Sequence, residues 1–146
     1  MGSRSRNGFT VIELMIVVVT LGVLLAIAIP NYMRMQLQAR DAGVKSNSHA
    51  VQVAAEDFAV KNGGIYPADL TDAGSTGETV IDGLPQNQRL LNPFTRARTE
   101  PIDGAATTKG ETGYEPVVDG TGANVGYVIT GIGAGGLQVC RFSNGS

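Results

Sequence analysis

From Phe9 to Met33 the chain runs for 25 residues with a single charged side chain, Glu13. At ~1.5 Å per helical residue such a run crosses a hydrocarbon core of ~30 Å with some tilt, so it reads as a membrane helix. A carboxylate near the middle of a membrane helix costs roughly 2.5–3.5 kcal/mol on insertion scales, and a penalty remains near one end. Glu13 is therefore either a tolerated interfacial charge or a residue with a task, and its isolation favours the task.

Outside that segment about 110 residues remain, enough for one modest water-soluble domain and too few for a large catalytic cleft. Formal net charge is −2, and Lys and Arg form no cluster beyond the amino terminus, which argues against nucleic acid as a partner. Cys140 and His49 are the only residues of their types, so no intrachain disulfide and no Cys/His metal cluster can form. The soluble part must be held by its core, by bound ions or by neighbouring subunits.

Arg4 and Arg6 place the amino terminus in the cytoplasm and the bulk of the chain outside, by the positive-inside rule. Three readings of this end compete. A secretory signal would be cut near Ala26-Ile27-Ala28, but Glu13 interrupts its apolar core and the helical pattern continues past the cut. A plain membrane anchor accounts for hydrophobicity and orientation and leaves Glu13 unexplained. In the third reading the polar leader ends at Gly8 and is removed, so that Phe9 becomes the new amino terminus.

Gly8-Phe9-Thr10-Val11-Ile12-Glu13-Leu14-Met15 followed by a long apolar helix resembles the prepilin signal of type IV pilins and of the pseudopilins of type II secretion systems. The resemblance covers residues 1 to about 35 closely, with Gly22 and Pro30 in the helix and Tyr32 just after Pro30. It implies that a membrane peptidase cuts after Gly8 and methylates Phe9, and that Glu13 is the assembly glutamate. Loss of Arg4 and Arg6 would shift the formal charge from −2 to −4. The residues support the same idea physically. Glu13 lies four positions from Phe9, one helical turn away. Pairing of Glu13 with the Phe9 ammonium of a neighbouring subunit would penalise wrong registers more than it would add net stability.

Gly22 and Pro30 mark a stretch where the helix should kink or loosen, Pro30 because it lacks an N–H and crowds the preceding turn. Beyond the membrane, Leu37, Val44, Val51 and Phe58 recur every seven residues beside Ala54 and Ala55, while charged side chains lie elsewhere on the helix. Gly63-Gly64 should end the helix, which from Phe9 to about Asn62 would measure ~80 Å. From Ala68 to Gly113 the composition predicts a long loop with turns or a short helix around Gln86-Leu91. Tyr114-Glu115-Pro116-Val117-Val118 is an edge-strand candidate because of its proline. Val125 to Ile132 and Leu137 to Phe142 should pair as a hairpin about Gly133-Ala134-Gly135-Gly136 and cover the helical stripe.

The expected fold is therefore α+β, a long N-terminal helix packed against a small antiparallel sheet. Residues 1–8 form a leader, 9–35 a membrane or filament-core helix, 36–62 its amphipathic continuation and 63–146 a loop-rich β head. His49 reads as a solvated surface side chain and Cys140 as a small apolar one. The glycines at 131, 133, 135 and 136 lack the following Lys-Ser/Thr of a phosphate loop and suit a turn. Asp69, Asp72, Asp103 and Asp119 could offer oxygen ligands to Ca²⁺, the one candidate ion, without the alternating acidic spacing of a dedicated loop. Many type IV pilins close a carboxy-terminal loop with two cysteines, and this chain has one; the Tyr66-Pro67 start and Asn92-Pro93-Phe94 are reminiscent of major pseudopilins.

The expected protein is a structural filament subunit rather than an enzyme. The resemblance implies further copies of the chain, a prepilin peptidase, an inner-membrane platform protein and an assembly ATPase as partners. It also implies an inner-membrane precursor that becomes an extracellular pilus or a periplasmic pseudopilus. A rival of another class is a membrane-anchored periplasmic binding module.

Overall fold

The computed structural model describes residues 8–85 and 88–144. It divides into two compact units, Met1–Gln36 and Leu37–Ser146, and one helix, α1 (Val11–Lys61, 51 residues), runs through both.

In the first unit every described residue is exposed. The segment is helical because a helix satisfies its own backbone groups, the one requirement that an apolar surrounding imposes on a single segment. It is long and apolar enough to cross a membrane. α1 is helical at every residue across Gly22 and Pro30, where the sequence predicts a kink or loosening. Pro30 still removes one donor, so the carbonyl of Ala26 has no helical partner there.

In the second unit α1 turns amphipathic and buries its stripe. Val44, Val51, Ala54, Ala55 and Phe58 are buried. Leu37 departs from the expected stripe and remains 44% exposed. The hairpin turn reaches the helix at Asp41, whose Oδ1 accepts the Ala134 N–H at 2.7 Å, one turn past Leu37. Gly63 and Gly64 end the helix with φ of 71° and 90°, and the Gly64 N–H closes the last turn onto the Ala59 carbonyl at 2.8 Å.

The head sheet contains β3 (Ile102–Asp103), β4 (Thr112–Val118), β5 (Asn124–Ile132) and β6 (Gln138–Asn144) in that spatial order. β4, β5 and β6 are antiparallel as expected, and β3 adds a short parallel edge, so the sheet is mixed. β4 is not an edge strand over its whole length, since β3 covers Gly113 and Tyr114. Pro116 lies beyond that cover, where a missing N–H costs no ladder bond on the open side.

The segment expected to be loop carries a second, two-stranded sheet of β1 (Leu90–Leu91) and β2 (Arg98–Glu100). The short helix expected around Gln86-Leu91 is not formed at its end, where Leu90 and Leu91 are strand; Gln86 and Asn87 lie outside the described residues. Two buried polar side chains organise this region. Glu100 accepts from Asn92 Nδ2 at 3.0 Å and from the Thr112 N–H at 2.8 Å, and Asn92 Oδ1 accepts the N–H groups of Phe94 and Thr95 at 2.9 and 3.1 Å. Burying such groups is tolerable only when they are bonded in this way.

The core joins the helical stripe to Tyr66, Leu70, Val80, Tyr114, Tyr127 and Ile129. Each large apolar side chain contributes roughly 1.5–3 kcal/mol of transfer free energy before chain entropy is counted. At Gly131 the strand presses so close that an added Cβ would lie 2.6 Å from Cys140 Sγ, 2.8 Å from Val44 Cγ1 and 2.9 Å from Ser48 Oγ.

Candidate functional site

Gly8, Phe9 and Thr10 precede the first helical residue and are exposed, and an added Cβ at Gly8 would meet nothing within 4 Å. The Gly8–Phe9 bond is thus non-helical and open to an enzyme. Thr10 and Glu13 form a reciprocal cap. Glu13 Oε2 accepts the Thr10 N–H at 2.8 Å and the Thr10 hydroxyl at 2.7 Å, and the Glu13 N–H donates to Thr10 Oγ1 at 3.3 Å. Two otherwise orphaned donors at the start of the helix are satisfied, and the carboxylate sits near the positive end of the helix dipole. Glu13 is therefore tolerated in an apolar segment partly by local bonding. Inspection of the sequence missed Thr10, although Thr10-Val11-Ile12-Glu13 carries the capping-box spacing.

The head offers less chemistry. Glu56 gathers the Tyr66 and Tyr127 hydroxyls at 3.0 and 2.7 Å, and Asn144 donates to both Glu56 and the Tyr66 oxygen. This links the helix to β5 and to the end of β6. Burial, with the hydrogen bond to Glu56, pushes Tyr127 up to about 12. These tyrosines therefore act as neutral packing groups at physiological pH.

Three of the four aspartates weighed as Ca²⁺ ligands bond within their own turns, and Asp103 on β3 bonds across to Leu70. Asp69 accepts from Thr71, Asp72 from the Ala68 and Gly74 N–H groups, Asp103 from the Leu70 N–H, and Asp119 from Thr121 and Ala123. Hydrogen bonds from the Thr71 and Thr121 hydroxyls hold Asp69 and Asp119 below the usual carboxylate range. Among the described residues no three His, Cys, Asp or Glu side chains gather as a metal site.

His49 is exposed beside Gln52 and tilted toward the Phe142 ring at 6.4 Å. The half-buried Cys140 reaches Ser48 Oγ at 3.2 Å. The glycines from 133 to 136 form the β5–β6 turn, closed by the Gly133 N–H on the Leu137 carbonyl at 2.9 Å. A cleft of about 270 Å³ lies against the end of α1, lined by Asp57, Lys61, Glu78 and Asp82. Lys61 bridges Asp57 and Glu78 there at 2.9 and 2.6 Å.

What distinguishes the molecule is a bare apolar helix headed by a capped carboxylate, and several known proteins are similar to it in sequence. A type IV major pilin, PilA of Myxococcus xanthus, is 47% identical over 53 residues, 36% of this chain and 24% of that protein. A fimbrial protein of Pseudomonas aeruginosa is 37% identical over 90 residues, 58% of each chain. The type II secretion system core protein G of Pseudomonas aeruginosa is 37% identical over 62 residues, 42% of this chain and 44% of that protein. Its relatives are type IV pilins and a type II secretion pseudopilin. The matches span between a quarter and about three-fifths of these relatives. No family model and no solved structure matches the chain.

Gly8, Phe9 and Glu13 stand together at the exposed start of α1, and Gly22 and Pro30 lie within its apolar part. Gly8 and Phe9 precede α1, and Glu13, Gly22 and Pro30 lie on it.

Proposed function

We propose that the chain is the precursor of a structural subunit of a type IV pilus-like filament. The observation that carries this reading is the uncovered apolar helix: from Phe9 to Met33 every side chain is exposed among the described residues. Such a surface is stable only in lipid or against like helices. In this reading residues 1–8 are a leader that a prepilin peptidase removes after Gly8, methylating Phe9. Residues 9–35 anchor the precursor in the inner membrane with its amino terminus in the cytoplasm, and the head stands on the far side. A platform protein and an assembly ATPase then feed subunits into a homopolymer, in which Glu13 meets the Phe9 ammonium of a neighbour. The Thr10 cap holds the carboxylate until that partner arrives, and the stretch from Gly22 to Pro30 supplies give.

The similarity to type IV pilins supports a pilus. The unpaired Cys140 and the similarity to the secretion core protein support a second reading, a major pseudopilin whose filament stays in the periplasm. Mass spectrometry of the protein from its native host tests both against their rivals. The expected mature chain begins at Phe9 and carries one added methyl. An intact Met1 would favour an anchored binding module, and a terminus at Ile29 a secreted protein. Immunogold labelling outside the cell or only within the periplasm then separates pilus from pseudopilus.

A further inference from the structure

The head carries opposite charge at its two ends on one side of α1. The β1–β2 hairpin and the residue before it hold Arg89, Arg96 and Arg98, with no Asp or Glu from 89 to 98. The segment from 69 to 82 holds Asp69, Asp72, Glu78 and Asp82, with no Lys or Arg. Among the described residues none of the three arginines makes an ion pair. Arg89 is half-buried and donates to the Thr99 and Pro101 carbonyls, whereas Arg96 and Arg98 are exposed, Arg98 with one Nη donating to the Arg89 carbonyl at 3.3 Å, and these two form the cationic tip.

The placement of these patches follows from their contacts with the helix. The hairpin docks near the start of the head's share of α1: Arg40 lies over the Phe94 ring at 5.5 Å, and Asn47 Nδ2 donates to the Leu91 carbonyl at 2.9 Å. The acidic segment docks near its end, where Lys61 meets Glu78 at 2.6 Å and Gly83 packs on Ala54. Residues 40, 47, 54 and 61 are spaced by sevens, so each stays within about 20° of the one before and the set drifts by about 60° over its length. The two patches are therefore on one side of the head, separated by about 20 Å along α1 from Asn47 to Lys61.

We propose that the arginine tip of one head contacts the acidic segment of a second copy displaced along the filament axis. This rests on the filament reading above and adds the contact between heads. Two patches of opposite sign at opposite ends of one side are complementary head to tail between copies that run in the same direction. Such a heterologous contact repeats from copy to copy, as a helical polymer requires. An antiparallel two-fold pair would also match unlike patches, and the common direction of subunits in the filament reading excludes it. Lys61 neutralises part of the acidic end, but Asp69, Asp72 and Asp82 keep it anionic. The contact lies at the solvent-exposed surface, so its main effects are on register and on salt dependence.

The test uses the full chain in its native host, with wild type, Arg96→Glu/Arg98→Glu, Glu78→Arg/Asp82→Arg and all four changes together. Filaments are sheared off or extracted and weighed against the subunit pool, and the mature terminus is read by mass spectrometry in every strain. Each paired reversal should cut filament yield about tenfold, and the fourfold exchange should return it to within about twofold of wild type. The milder Arg96→Gln/Arg98→Gln should leave filaments whose yield no longer falls as NaCl is raised. Normal yield from both paired reversals, or a fourfold variant as poor as they are, overturns the proposal. So does loss of yield from the arginine change alone when wild-type filaments, unlike that variant, retain a labelled DNA oligonucleotide; the tip is then a nucleic-acid surface. A wild type that makes no filaments and keeps Met1 would instead overturn the filament reading itself.

Discussion

The two parts of α1 differ in what their sequence asks of the surroundings. From Phe9 to Met33 the apolar side chains circle the helix, so no single partner face could satisfy them, and none is present among the described residues. From Val44 to Phe58 the apolar residues keep to one stripe, and the head's own sheet and loops cover it. The same secondary structure is thus unfinished in one unit and complete in the other. A helix apolar all round requires a medium or many neighbours, whereas an amphipathic helix requires one partner.

The largest effect that would break this contrast is expected at Glu13, the one charge in the unfinished part. Glu13→Ala should insert and be cut after Gly8, yet leave the neighbouring Phe9 ammonium unpaired at about 3–5 kcal/mol. Filament yield in the native host should collapse, and Glu13→Asp should fall between. Filaments of normal length and amount from Glu13→Ala would reduce Glu13 to a capping residue.

A paired substitution sharpens the contrast directly. Phe58→Ala should destabilise the head by about 3–5 kcal/mol, because it leaves a cavity among packed side chains. Leu24→Ala removes a similarly large apolar side chain from a site that is 63% exposed, so the thermal unfolding of the head in detergent should not move. Equal shifts in the two variants would mean that the first unit is covered within the chain after all.

The smallest effect concerns acid. Hydrogen bonds hold three carboxylates low: Asp69 through the Thr71 hydroxyl, Asp82 through the Thr79 N–H and Asp119 through the Thr121 hydroxyl. A lowered folded-state value favours the ionised form, so this stabilisation is present above about pH 4 and fades as pH falls through the folded-state values. Melting curves of the head should decline below that pH, while the insertion of the apolar helix should not. Asp119→Asn should flatten the decline slightly, and an unchanged slope would remove Asp119 from the account.

The parts legible in the sequence were those set by local rules. The Gly63-Gly64 stop, the stripe from Val44 to Phe58 and the β5–β6 hairpin each follow from a few adjacent residues. The capped start of α1 was equally local and was missed only because Glu13 drew attention as an isolated charge. Strands β1 to β3 were not legible, since runs of two or three residues carry no period. The position of β1 and β2 depends on Glu100, which joins Asn92 of its own hairpin to the Thr112 N–H of β4. Leu37 fits the heptad and stays exposed, because a period says which face a residue shares and not how far the partner extends.

Gly131 has a consequence for how the sequence of such a head can change. A side chain there would collide at once with Cys140, Val44 and Ser48, on the neighbouring strand and on the helix. No single compensating substitution makes room, because the three obstacles belong to two elements and effects at such contacts do not add. Change at this seam is confined to concerted replacement of several residues, while the exposed turn after Asp119 can vary one position at a time. Among variants of this chain, the strand–helix seam should stay fixed or shift as a block.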